Sequence, residues 1–313
     1  MTGTGPGTRE DVAVTELVGG AEQPQRFITS DGADIPWWRF GRPDASLTYV
    51  LAHGWTLDHR SWDDVARQLI AADPDIQVIT YDHRGHGVSG PLDPASATLE
   101  RLADDLAELI TAEVGQGQLI LGGHSMGGMT MMTLGERDPG LIADRVAGAA
   151  FVATSAGPFY PMLRRSATFR DRVVPAAFAR MEEAAHRGSS DRAAYLNARM
   201  SLFGKGADRS DIYRAIEMTR LAQPGVTVGF GRAIADHDRV HTLDAFRDVP
   251  SVVLAGSVDR LCPTRHLRMI AASLPLASYS EYDGAGHMLP FERREAVVGR
   301  LRSLRTATAS MRA

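Results

Sequence analysis

One cysteine, Cys262, stands in 313 residues. That scarcity excludes an intramolecular disulfide and a multi-cysteine metal cluster, and it suits a reducing compartment. Beside Pro263, Cys262 reads as a small buried residue rather than a reactive thiol. Long apolar runs are missing too: none approaches the ~20 residues a membrane helix needs. The opening stretch, Met1 to Thr8, has neither a basic start nor an apolar core, so no signal peptide is expected and a flexible tail over 1–23 is. Charge of one sign is also scarce. The net value of −4 gives no reason to expect nucleic acid or an anionic membrane as partner. A cytoplasmic protein is the default expectation, and nothing in the chain sets its oligomeric state.

What remains is ordinary globular composition, 44% hydrophobic and 23% charged, in a chain long enough for a sizeable core. Arg26–Ser30 and Ala33–Phe40, joined by Asp31-Gly32, read as a hairpin. Continuous apolar strands are predicted at 48–52, 76–81, 118–122, 146–153, 251–256 and 277–282. Helical patterns alternate with them at about 60–72, 98–114, 126–137, 263–273 and 293–305. In the last, Val297, Leu301 and Leu304 share a face that would pack on the sheet. Such alternation with buried strands predicts a mostly parallel, doubly wound α/β sheet. Between Thr154 and Pro250 the alternation stops. Helices around 160–187, 189–203, 208–222 and 225–238 are predicted instead, broken at Gly188, Gly204-Lys205-Gly206 and Pro224-Gly225. The expected organisation is a core over 24–154 and 250–306 with a helical cap inserted at 155–249.

The strongest chemical signal is Gly123-His124-Ser125-Met126-Gly127-Gly128. It follows the apolar run 118–121 and precedes a helical segment, the strand, sharp turn and helix of a nucleophile elbow. Three further segments supply what an elbow serine needs. Tyr49–Trp55 is a strand ending in His53-Gly54, where glycine lets the Trp55 N–H face a reacting carbonyl. Val252–Asp259 is a strand with a carboxylate just past its end, where sites in such sheets form. Asp236, Asp238, Asp244 and Asp248 precede that strand and are weaker alternatives. Gly284-Ala285-Gly286-His287 places a histidine in a glycine-rich loop.

Serine, acid and histidine in that chain order resemble the α/β-hydrolase family over roughly 25–305. Tyr81–Ser89 looks like the family's D-x-R-G-x-G-x-S loop. His53-Gly54-Trp55 with the elbow is similar to the aryl-esterase and cofactor-free haloperoxidase branch, and His287–Glu292 to lactonase-like and monoacylglycerol-lipase-like members. The resemblance implies Ser125 as nucleophile, His287 as base, Asp259 as its orienting acid, and an oxyanion hole from the Trp55 and Met126 backbone N–H groups.

A serine hydroxyl is a poor nucleophile at neutral pH, so a base within hydrogen-bond reach is needed. Trp55 and Met126 are also candidate pocket side chains, with Phe159, Met162 and Met288 behind them. His53, His83, His86 and His124 read as structural, the 83–86 loop bracing the oxyanion strand through Asp82–Arg84 contacts. Asp58, His59, Asp82 and His83 match no common metal spacing. The cap arginines read as solvated or locally paired. The expected activity is cleavage of a small-molecule ester or lactone through an acyl-enzyme, with no cofactor. Perhydrolysis, carbon–carbon hydrolysis, hydroxynitrile lysis and a non-catalytic receptor remain alternatives. Epoxide hydrolases and haloalkane dehalogenases fit poorly, since they carry aspartate where Ser125 stands.

Overall fold

A computed structural model describes residues 23–91, 93–158 and 190–310, with a few positions between 172 and 188. The tail expected over 1–23 lies outside these residues apart from Gln23, as do Phe159, Met162 and most of the helix expected at 160–187.

Eight strands form one sheet in the order β1-β2-β4-β3-β5-β6-β7-β8. The first two, β1 (Gln25–Ile28) and β2 (Asp34–Gly41), pair antiparallel around Gly32, whose φ of 86° only glycine adopts without strain. β2 runs antiparallel to β4 (Gln77–Tyr81), and β4 pairs parallel with β3 (Leu47–Ala52). From β3 through β5 (Gln118–His124), β6 (Val146–Val152), β7 (Ser251–Gly256) and β8 (Ala277–Tyr282) every pairing is parallel. β6 and β7 meet in the register Ala149↔Ser251 to Val152↔Leu254 although about a hundred residues separate them in sequence.

Every residue of β4, β6 and β7 is buried, because both faces of the sheet are covered. On one face Val50, Ile79, Leu121, Phe151 and Val253 pack under α2 (Leu99–Glu113), α3 (Met126–Arg137) and α8 (Thr264–Ser273). On the other, Tyr49, Leu51, Val78, Ile120, Val252 and Leu254 pack under α1 (Asp63–Ala72) and α10 (Arg294–Ser310), the latter through Val297, Leu301 and Leu304. The period of two along each strand sends alternate side chains to opposite cores.

Between β6 and β7 lie α5 (Asp191–Ser201), α6 (Arg209–Leu221) and α7 (Pro224–Asp236), then a 3-10 segment at Val240–Phe246; no strand lies there among the described residues. Ser190 caps α5 by accepting from the Ala193 N–H, and Asp208 caps α6 through Ser210. Pro224, which reads as a break, is the first residue of α7, where a missing N–H costs no helical bond. The same chemistry explains α4 (Pro139–Arg145), which apolar periodicity alone does not reveal: Asp138 accepts from the Leu141 N–H and Pro139 opens the helix. A four-residue helix, α9 (Leu289–Glu292), precedes α10. No helix among the described residues is long and apolar enough to cross a membrane.

Candidate active site

Ser125 stands between β5 and α3 with φ 54° and ψ −117°, one of three non-glycine residues of positive φ among those described. The turn closes this tightly only because its neighbours are small. A Cβ on Gly127 would lie 2.2 Å from the Ala52 carbonyl oxygen, and one on Gly123 2.4 Å from the Gly128 nitrogen. Backbone bonds hold the strain: Ser125 N–H donates to Val152 O at 2.9 Å, and Thr154 Oγ1 donates to Ser125 O at 2.7 Å. Met126 opens α3, so its amide belongs to the helix's positive end.

His287 and Asp259 come from loops after β8 and β7. Their side chains are almost wholly buried, and His287 Nδ1 lies 2.8 Å from Asp259 Oδ2. The other carboxylate oxygen accepts from the Leu261 and Cys262 amides at 2.8 and 2.9 Å, fixing the plane of Asp259. With Nδ1 donating to the carboxylate, the basic nitrogen is Nε2.

Ser125, His287, Trp55 and Met288 border one cleft of about 420 Å³, within the ordinary range for small-molecule sites. The core supplies Gly54, Thr56, Leu57 and His124; α5, α6 and α7 supply Ala194, Ala215, Ile216 and Val228 among others. Thr56, also of positive φ (62°), continues the turn after Trp55. Met126 departs from its expected side-chain role. Its side chain is fully buried beneath Phe230 of α7 with Leu99 and Met129, and does not border the cleft. Of the cap arginines read as solvated or locally paired, Arg199 donates to the nearby Gly204 carbonyl at 2.7 Å. Among the described residues the arginine bordering the cleft is Arg220, which the sequence did not single out; it pairs with Asp191.

Behind the Trp55 turn is a core of neutral histidines. His53 Nδ1–H donates to Gly54 O at 2.7 Å while its Nε2 accepts from the His83 amide at 2.9 Å. His83 Nε2–H returns to His53 O at 3.1 Å, and His86 Nδ1–H donates to Arg84 O at 3.0 Å. Burial holds His83 down to about 3 and His86 to about 4; burial first, then the nearness of His83 and His86, lowers His53 well below its ordinary value. The expected Asp82–Arg84 brace is not what forms. Arg84, fully buried, reaches Asp105 (Nε–Oδ2 2.6 Å) and Asp31, whereas Asp82 accepts from His59 and the Val88 amide at 2.8 Å. The only metal-like cluster among the described residues is Asp58, His59 and Asp82, without His83. Its carboxylates are taken by Arg60, His59 and Val88 donors.

His124 also does more than its sequence reading as a structural residue. Its Nε2–H donates to the His287 carbonyl at 2.9 Å, tying the elbow to the histidine loop. Burial, then the nearby His287, depress it to about 3, so it stays a neutral donor.

Solved structures share this architecture. A thermophilic esterase of Thermogutta terrifontis superposes with a TM-score of 0.73, 24% identity, and coverage of 91% of this chain and 99% of that one. The enol-lactonase of Burkholderia xenovorans LB400 gives 0.69, 21%, 90% and 100%. Among curated proteins, the proposed carbamate hydrolase RutD of Rhizobium rhizogenes is 35% identical over 101 residues, 32% of this chain and 37% of its own. The 3-oxoadipate enol-lactonase 1 of Acinetobacter baylyi is 31% identical over 93 residues, 30% and 33%. These matches span about a third of the curated relatives' lengths. The sequence pattern of the Alpha/beta hydrolase family matches residues 49–300, and the chain belongs to that family.

Proposed function

We propose that this chain is a serine hydrolase that cleaves a carboxylic ester or lactone of a small molecule through an acyl-enzyme on Ser125. The observation that carries the reading is the 2.8 Å bond between Asp259 and His287 Nδ1, beside a cleft shared with a strained serine. That bond leaves Nε2 as the proton acceptor for Ser125 Oγ and stabilises the imidazolium that forms. As Oγ attacks, negative charge develops on the carbonyl oxygen. The Trp55 and Met126 amides are the assigned donors to it, each worth about 3 kcal/mol of transition-state stabilisation. The proton then passes from His287 to the departing alcohol, which in a lactone stays tethered to the acyl group. Water, deprotonated by the same histidine, completes the cycle. Serine, histidine, carboxylate and amides supply the chemistry without a cofactor.

The apolar lining from α5, α6 and α7 supports a small-molecule substrate and a cap, within 155–249, that encloses its acyl or alcohol group. The names esterase and enol-lactonase among the structural neighbours support the same bond class. A serine-directed fluorophosphonate tests the reading: mass spectrometry should find the adduct on Ser125 alone, and Ser125→Ala should lose turnover of activated esters. Label on another serine, or ester cleavage surviving Ser125→Ala, overturns it.

A further inference from the structure

Four hydrogen bonds converge where the loop after β8 meets the chain just past α5. The Glu292 carboxylate accepts from the Gly204 amide at 2.7 Å, from Gly286 at 3.0 Å and from Met288 at 3.1 Å. The fourth runs beside it: His287 N–H donates to the Leu202 carbonyl at 2.7 Å. A carboxylate is an acceptor with about four lone-pair sites, and bonds from amides to an ionised acceptor are about twice as strong as neutral ones. Here three of those sites take amides from two stretches of chain, and two of the three flank His287.

The stretches touch backbone to backbone. A Cβ on Gly204 would lie 1.9 Å from the Gly284 carbonyl oxygen, and one on Gly286 2.5 Å from the Gly204 nitrogen. No side chain fits between them, so what registers one against the other is this set of bonds. The His287 peptide is thereby fixed at its N–H by Leu202, at its C=O by His124, and at both neighbouring amides by Glu292. Loss of the Glu292 oxygens would free the Gly286 and Met288 peptides to turn, and the imidazole between them would swing off Asp259.

We infer that Glu292 is a positioning residue that clamps the segment after α5 to the histidine loop, holding His287 in the orientation its bond to Asp259 requires. The inference rests on the serine-hydrolase reading above. Glu292 does not border the substrate cleft; it borders a separate cavity of about 190 Å³ with Phe203, Gly206 and Asp208. Its effect on turnover is exerted through His287, and a small carboxylate can reach its place from that cavity.

The test compares Glu292→Gln and Glu292→Ala in the full chain with p-nitrophenyl acetate as substrate. The expected loss in kcat is on the order of tenfold to a hundredfold, the scale of a catalytic group displaced by about 1 Å, with KM for this short ester little changed. Formate should restore part of the Glu292→Ala activity and none of the Ser125→Ala activity. In proton NMR, wild type should show a deshielded Nδ1–H signal for His287, and that signal should broaden in Glu292→Ala. Glu292→Gln keeps the side chain's shape and decides the matter if the alanine variant does not fold. A folded glutamine or alanine variant with wild-type kcat and an unchanged Nδ1–H signal overturns the inference while fluorophosphonate still labels Ser125. Wild-type turnover in Ser125→Ala overturns the underlying reading, and this inference with it.

Discussion

At Ser125 the backbone is held where non-glycine residues are rarely found, at a cost of about 1–3 kcal/mol that the bonds to Val152 and Thr154 and the contacts of Gly123 and Gly127 must offset. The elbow was legible because its demands are local: small residues at fixed offsets around a serine, between strand and helix. Asp259 was legible from its place past a strand end. His124 and the Glu292 link to Gly204 were not, because those partners lie 163 and 88 residues away and no spacing announces them. The Asp82–Arg84 contact was misjudged for the same reason: Arg84 reaches past its loop to Asp31 and Asp105. A residue-scale prediction follows from the two oxygens of Asp259. Asn at 259 can still accept through one oxygen, but its NH2 cannot hold the Nδ1–H tautomer of His287. Asp259→Asn should therefore keep the wild-type melting temperature within a few degrees while kcat falls by up to ~10⁴. Near-wild-type turnover would assign the orienting role to another carboxylate.

Among the elements, the parallel strands were readable because a strand buried on both faces is apolar along its middle, and the runs at 119–121 and 252–255 are. α4 was missed because a seven-residue helix carries too little apolar periodicity, and the start of α7 because Pro224 reads as a break although it occupies a first helical position. The helices between β6 and β7 carry their own test. Ala194 of α5 borders the cleft and is small. Ala194→Trp should lower kcat/KM for hexanoate esters by about tenfold or more while leaving acetate esters nearly unaffected, since lost apolar space is felt methylene by methylene. A specificity profile unchanged across the ester series would mean that α5 does not select substrate.

Taken whole, the molecule carries buried neutral histidines that water would protonate once the chain unfolds. His83, His86 and His124 sit at about 3, 4 and 3, and His53 is lowered as well, against an ordinary value of ~6.5. Below pH 6.5 the unfolded chain therefore binds protons that the folded one refuses. This contribution to stability is complete above ~6.5 and is lost progressively as pH falls toward 3–4. Asp105 opposes the trend, because burial raises it to about 6 despite Arg84, so the folded state takes up its proton first. Burial raises Asp63 and Asp211 in the same way, but His266 is lowered by burial and Asp31 is held down by its bond to Arg84, so the histidines set the sign. The melting temperature should fall steadily from pH 6.5 to 4.5, with net proton uptake on unfolding measurable by calorimetry in buffers of different ionisation enthalpy. A flat melting temperature over that interval would mean that the histidines are charged in the folded protein.

The parallel seam between β6 and β7 divides the proposed catalytic machinery between two lengths of chain. Residues before the exposed Lys205-Gly206 turn carry Ser125, Trp55 and Met126; residues after it carry Asp259, His287 and Glu292. Cutting the chain there yields two pieces, each holding half of a reaction, that must find each other along a four-residue ladder and the two packed layers. Expressed separately, fragments 1–205 and 206–313 should be inert toward esters. Mixed, they should regain turnover at an initial rate proportional to the product of their concentrations, so hydrolysis becomes a reporter of fragment complementation. Ester cleavage by either fragment alone would show that the reaction needs only one side of the seam.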